Sequence, residues 1–213
     1  MSSFSLRRPR LGAGSSTTKK LLATLAVLGA AASIAGLGTY ATWTSTTSQS
    51  HTIATGTVTI SLGATGASTN RLNIGASGLV PGDTIQRSVD LTNSGSIDLA
   101  SVTLTTTASP SSLLDTDATN GLQMVIDKCS QAWTEAGPPY TYTCGGTTSS
   151  VLASSAVIGS NLALSNLSAL TAGSTDHLRV TLTLPSGAGN TFQNQSSTLT
   201  YAFTGTQRAA TNR

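Results

Sequence analysis

Leu178, Val180, Leu182 and Leu184 occupy every second position of HLRVTLTLP, 177–185. A period of two places all four on one face of a strand whose other face meets water. The same period runs through TIQRSVDLTN, 84–93, where Ile85, Val89 and Leu91 share a face that the charged Arg87 interrupts. In IDLASVTLTTT, 97–107, Val102 and Leu104 are in phase and Leu99 is out of phase, which predicts a bulge or a bend near the strand's start. The intervening NSGS is a turn, so 84–93 and 98–107 are predicted to pair as a hairpin.

Other segments are shorter. HTIATGTVTISLG, 51–63, carries Ile53 and then Val58, Ile60 and Leu62 on one face beyond a break at Gly56. RLNIG, 71–75, and LQMVIDKC, 122–129, read as strands, and WTEAGPPYTYTC, 133–144, as a turn followed by a strand. SVLASSAVIG and NLALSNL, 150–167, give one or two strands, and STLTYAFTGTQ, 197–207, gives a last one with Leu199, Tyr201 and Phe203 inward. GLVPGDT, 78–84, is a turn to which Asp83 belongs, since Pro81 fixes φ and Gly82 admits positive φ. ASPSSLLDTDATNG, 108–121, and GAGNTFQNQ, 187–195, are loops with room for a helical turn. Eight to ten short strands without a helical period predict an all-β, jelly-roll-like β-sandwich.

The one helical signal lies at the start. Leu21 to Ala41 is uncharged, strongly apolar to Leu28 and then mostly Ala and Gly, and follows Arg7, Arg8, Arg10, Lys19 and Lys20. A basic leader, a short apolar core and a small-residue exit make a secretory signal helix. Cutting after Ala41 leaves Thr39 and Ala41 as the small residues before the scissile bond and Thr42 as the new N-terminus. The rival is an uncut anchor, since the run just reaches the roughly 20 residues that span a bilayer. Arg7-Arg8 reads as part of the basic region rather than a twin-arginine signal, because Pro9 follows at once. The predicted organisation is a signal peptide at 1–41, an N-terminal segment at 42–52, a jelly-roll domain at 53–207 and a tail at 208–213.

That cut changes the charge argument. The leader holds five of the eleven basic residues and no acid, so residues 42–213 carry six bases against eight acids, a net charge of −2. The basic balance of the whole chain is therefore no sign of nucleic acid, and the membrane is met only through the leader. Ser and Thr make up 58 of the 172 residues from Thr42 onward, a composition shared with disordered stalks. Alternating β-branched residues and scarce proline favour a folded β domain instead.

Three stretches together resemble the TasA and camelysin family of secreted bacterial proteins. The first is KKLLATLAVLGAAASIAGLGTYATWTSTTS followed by HTIATGTVTISL; the second is SGLVPGDTIQRSVDLTNSGSIDLASVTLT, 77–105; the third is LPSGAGNTFQNQSSTLTYAFTGTQ, 184–207. They resemble the family's leader and exit, its PGD turn with the strands around an NxGS turn, and its closing aromatic strand. They cover both ends and the early middle of the chain; the middle, 108–176, matches less clearly, and its cysteine pair departs from the pattern. The resemblance implies a jelly roll, export with cleavage by a signal peptidase of the endoplasmic-reticulum type, and an extracellular place at the cell surface or in a biofilm matrix. It also implies fibres in which an N-terminal strand completes the sheet of the next subunit. The partner is then the chain itself or another matrix component, and the donor would be Thr42 to Thr52, with Trp43 as its large apolar anchor and Ile53 just beyond.

Candidate chemistry is sparse. Cys129 and Cys144 are the only cysteines, and in an exported protein they most simply form one disulfide; metal binding is the rival, short of ligands. Camelysin-type proteins are classed as metalloendopeptidases, so zinc is weighed. The chain has His51 and His177 but no HExxH, whose two imidazoles share a helix face beside an activating Glu. Both histidines read as surface residues, with His177 beside a turn residue, Asp176. Asp115 and Asp117 in LLDTDATNG form part of a calcium loop without its closing Glu, or simply a loop that favours Asp. Trp133, Tyr140 and Tyr142 surround the cysteine pair as packing or as a contact patch. The reading is a secreted structural protein without cofactor or catalytic residues. A camelysin-like metallopeptidase and a surface adhesin held by an uncut leader are the alternatives.

Overall fold

A computed structural model describes residues 55–211. Its elements are β1 (Ile60–Leu62), β2 (Thr84–Asn93), β3 (Leu99–Ala108), α1 (Leu113–Thr116), β4 (Gln123–Cys129), β5 (Thr134–Ala136), β6 (Thr141–Thr143), β7 (Thr148–Ala156), β8 (Gly159–Ala163), β9 (Thr175–Thr183) and β10 (Leu199–Gln207), with a 3-10 turn at Asn190–Phe192. The protein is an all-β sandwich of antiparallel strands. One sheet runs β1-β2-β9-β4-β7 and the other β10-β3-β8, while β5 and β6 form a separate two-stranded hairpin.

Alternation explains the core. Leu178, Val180 and Leu182 of β9, Val89 and Leu91 of β2, and Met124 and Ile126 of β4 face inward from one sheet. Leu99, Val102 and Leu104 of β3 meet them from the other. Each such side chain, fully buried, contributes roughly 1.5–3 kcal/mol. Leu199, Tyr201 and Phe203 of β10 are half-buried against this core. The phase slip at Leu99 is a bulge: Thr206 faces Ser101 but Gln207 faces Leu99, so Ala100 is the extra residue. Leu99 thereby reaches the core, 5% exposed, beside Val102 and Leu104.

The predicted hairpin of 84–93 with 98–107 does not form. β2 pairs with β9, Val89 facing Leu178, and β3 pairs with β10, Leu104 facing Phe203. The turn exists but arches from one sheet to the other. Asn93, wholly buried, accepts from Gly95 N (3.0 Å) and donates to Ile97 O (3.1 Å), which bends the chain across the core. Both strands turn their apolar faces inward from opposite sheets, a pattern alternation cannot distinguish from pairing.

Three other segments differ from expectation. The 133–144 stretch, expected as a turn and then a strand, is a hairpin whose first arm is β5. The 71–75 stretch is a turn, with Asn70 making a lone bridge to Val89 before it. Of the predicted strand at 51–63, the described part is 55–63; there only Ile60–Leu62 pairs as a strand and Ile60 packs on the core, while Val58 and Leu62 are exposed. The 150–167 stretch yields two strands, β7 and β8. At Val80–Asp83 the turn closes as its residues dictate: Asp83 Oδ2 accepts from Val80 N (2.9 Å), and Gly82 takes φ 98°.

Candidate functional site

The two sheets are unequal. Five strands face three, and β10 is an edge whose outer side has no strand partner among the described residues. Beside that edge the sandwich opens into a groove of about 830 Å³. One wall is the run Leu72–Leu79, the floor includes Ile85, Arg87 and Leu182, and Phe192, Leu199 and Tyr201 close the far side. The lining is mixed: apolar side chains of the core share it with the polar run 193–198.

Arg87 is the charged member of this lining. It occupies an inward position of β2 and is only 9% exposed. Its guanidinium donates to the carbonyls of Ile74 (2.7 Å), Gly75 (2.8 Å) and Gln86 (2.6 Å). Among the described residues no carboxylate pairs with it. Burial lowers its pKa from the ordinary arginine value. Tyr201 lines the same groove, and burial pushes its phenol up to about 12, so it stays neutral. The inward charge was readable from alternation; the carbonyls of Ile74 and Gly75 that receive it were not, because they lie 13 and 12 residues away in an irregular run.

The groove wall joins a second cluster. Arg71, at its start, forms a bidentate pair with Glu135 of β5, at 2.6 and 2.9 Å, and also donates to the carbonyl of Gly66. Tyr142 Oη donates to Glu135 at 2.9 Å. The hydrogen bond from Arg71 holds the Glu135 carboxyl below its usual range, against the opposing effect of burial. The Tyr140 ring lies under both guanidinia, 5.0 Å from Arg71 and 5.5 Å from Arg87.

Cys129 and Cys144 are bonded, with Cα atoms 5.6 Å apart, at the two ends of the segment that contains β5 and β6. Trp133 and Tyr142 are buried against the disulfide, with Tyr140 packed beside them. The Trp133 indole donates to the carbonyl of His177 (2.9 Å), and the Arg179 guanidinium covers its ring at 4.4 Å. These aromatics pack rather than forming an open contact patch, apart from the half-buried Tyr140.

The remaining candidates are dispersed. His177 is half-buried, its Nδ1 2.7 Å from Asp90 Oδ1. The adjacent Asp176 points elsewhere: it is 3% exposed, pairs with Lys128 at 3.0 Å and accepts from Ala169 N at 2.7 Å. It is a buried anchor rather than a turn residue. Asp115 caps α1, accepting from Ser111 Oγ (2.6 Å), Ser112 N (2.7 Å) and Ser197 Oγ. Asp117 accepts from Thr119 N and Asn120 N, both at 2.9 Å. Both carboxylates are thus committed to neighbouring donors, Asp115 in part across to Ser197. Among the described residues no three of His, Cys, Asp and Glu gather closely enough to hold a metal ion. The described residues therefore do not fit a zinc centre. Thr39, Ala41, Thr42, Trp43, His51 and Ile53 lie outside the described residues, as does the rest of the leader and of the expected donor segment. Among the described residues no helix is long and apolar enough to cross a membrane.

Residues 16–127 match the family described as camelysin metallo-endopeptidase. No curated protein sequence matches the chain.

Proposed function

The chain belongs to the camelysin metallo-endopeptidase family, and from that footing we propose that it is a secreted structural protein of the cell surface or extracellular matrix. Its subunits join when the segment Thr42–Thr52 of one copy adds to the free edge of β10 in the next. The observation that carries this reading is the unpaired β10 edge beside the 830 Å³ groove, into which core side chains open. A missing fourth strand leaves both backbone groups and core side chains without a partner, and an added strand satisfies both at once. The lengths agree: eleven extended residues reach roughly 36 Å, and β10, nine residues long, runs roughly 30 Å. Cleavage after Ala41 frees the donor, with Trp43 as the side chain that enters the groove.

Electron microscopy and sedimentation of residues 42–213 at micromolar concentration test this. Regular fibres are expected, and their loss in residues 53–213. A monomer at every concentration, with or without 42–52, overturns it.

The family's description favours a second reading, a secreted metallopeptidase. It predicts proteolysis that a chelator abolishes and stoichiometric zinc restores; observing both would put the peptidase first.

A further inference from the structure

The wall Leu72–Leu79 is the least supported side of the groove. It has no strand partner; its local backbone bond is Ile74 N to Arg71 O at 3.0 Å, and at its start Arg71 N donates to Ser88 O of β2 at 2.9 Å. Past that point, side chains fix it. Arg87 holds the carbonyls of Ile74 and Gly75, Arg71 is held by Glu135, and Tyr140 stacks under both guanidinia. Two of these four residues, Glu135 and Tyr140, belong to the segment that Cys129 and Cys144 enclose.

That segment depends on its disulfide. β5 and β6 pair over three residues each, Thr134 to Thr143 through Ala136 to Thr141. A lone two-stranded hairpin of that length is marginal in water. It rests on the outer face of the five-stranded sheet through the buried rings of Trp133 and Tyr142, with Arg179 over the former, and through few polar contacts: Trp133 Nε1 to His177 O, Tyr142 N to Gln86 Oε1 (3.2 Å) and Arg179 to Tyr142 O (3.4 Å). The covalent bond keeps these contacts in register.

We infer that the disulfide-closed hairpin is the clamp of the groove wall, with Glu135 and Tyr140 as positioning residues, and that opening the Cys129–Cys144 bond disables the groove. The part that concerns strand uptake rests on the reading given under Proposed function. The step needs a dithiol reductant. Its thiolate attacks the half-exposed Cys144 sulfur, the bond to Cys129 breaks, and the mixed disulfide is resolved by the reductant's second thiol. The products are two cysteine thiols and the oxidised, cyclic reductant. The released hairpin carries Glu135 and Tyr140 away from Arg71 and Arg87, and the wall loses its outer support. The groove is then competent in oxidising surroundings and incompetent in reducing ones.

Trypsin reads the wall directly, because Arg71–Leu72 is a cleavable bond at its start. Residues 42–213 are reduced with a dithiol, alkylated and freed of reagent before digestion, beside an untreated sample. Cleavage after Arg71 is expected to rise by about tenfold or more, while Arg179, within β9, stays uncut as the control for an intact sheet. Glu135→Gln and Tyr140→Leu are expected to raise it with the disulfide intact, and Tyr140→Phe, which keeps the ring, to leave it slow. Fibre yield is followed in the same samples. Unchanged cleavage after Arg71 with both cysteines alkylated overturns the clamp. Faster cleavage with undiminished fibres supports the clamp and overturns the groove as the assembly site.

Discussion

The hydroxyl of Thr106 donates to the carbonyl of Val157 and accepts from the amide of Gly159 at 2.9 Å, with Thr106 itself 1% exposed. This buried polar link joins β3 to the connection between β7 and β8, where the chain leaves one sheet for the other. It also sits at the irregularity in the β3–β8 register between Leu104 and Thr106. Thr106→Val keeps the shape and strands both partners. A loss of about 1–3 kcal/mol is expected in urea unfolding, and an unchanged midpoint would show that water replaces the hydroxyl.

The disulfide closes a loop with a sequence separation of 15. The double replacement Cys129→Ser and Cys144→Ser is expected to lower stability by roughly 3 kcal/mol. Denaturant unfolding at neutral pH checks the figure, and retention of the β-sheet circular dichroism spectrum would show that the sandwich outlives its clamp.

Asp115 and Glu135, with the exposed Asp117 in the same sense, make the fold sensitive to acid. Burial alone would raise Asp115, but hydrogen bonds from Ser111, Ser197 and Ser112 more than offset it and leave its pKa lowered. Glu135 is lowered by Arg71, with Tyr142 and Arg87 adding in the same sense. A depressed folded pKa contributes stability that is complete above the unfolded value and fades as pH falls through the folded one. Stability is therefore expected to fall below the ordinary carboxylate range and to be flat above it. Asp115→Asn should flatten part of that slope in a pH series of thermal melts; an unaltered slope contradicts the assignment.

Ile74 is half-buried in the groove wall, and its carbonyl rather than its side chain receives Arg87. Ile74→Asp is expected to leave the thermal midpoint within a few degrees and to cut fibre yield about tenfold, as loss of a central apolar contact does. Sedimentation of the pelletable fraction measures it. Full assembly by this variant would place the contact elsewhere.

The legible part of this protein is what neighbours in sequence decide. Alternation located β2, β3, β4, β9 and β10, the phase slip of Leu99 located a bulge, and the PGD residues located their turn. Pairing was misread at Asn93–Leu99, because two strands with inward apolar faces look alike whether they share a sheet or face each other. Leu72 and Ile74 mimic a short strand, yet they line a groove. Arg87 showed itself as a charge on an apolar face. Its neighbours did not, since Glu135 lies 64 residues from Arg71 and nothing local links them.

The position of β9 has a consequence for how the chain comes together. β1 and β2 on one side, and β4 and β7 on the other, meet only through β9, and β3 waits for β10 to cover its second edge. Until residue 183 is available the larger sheet exists as two unjoined pieces, and until residue 207 the smaller one is incomplete. Such long-range closure makes folding slow relative to domains built from local contacts. A truncation that ends before β9 is therefore left with two half-sheets and no seam between them.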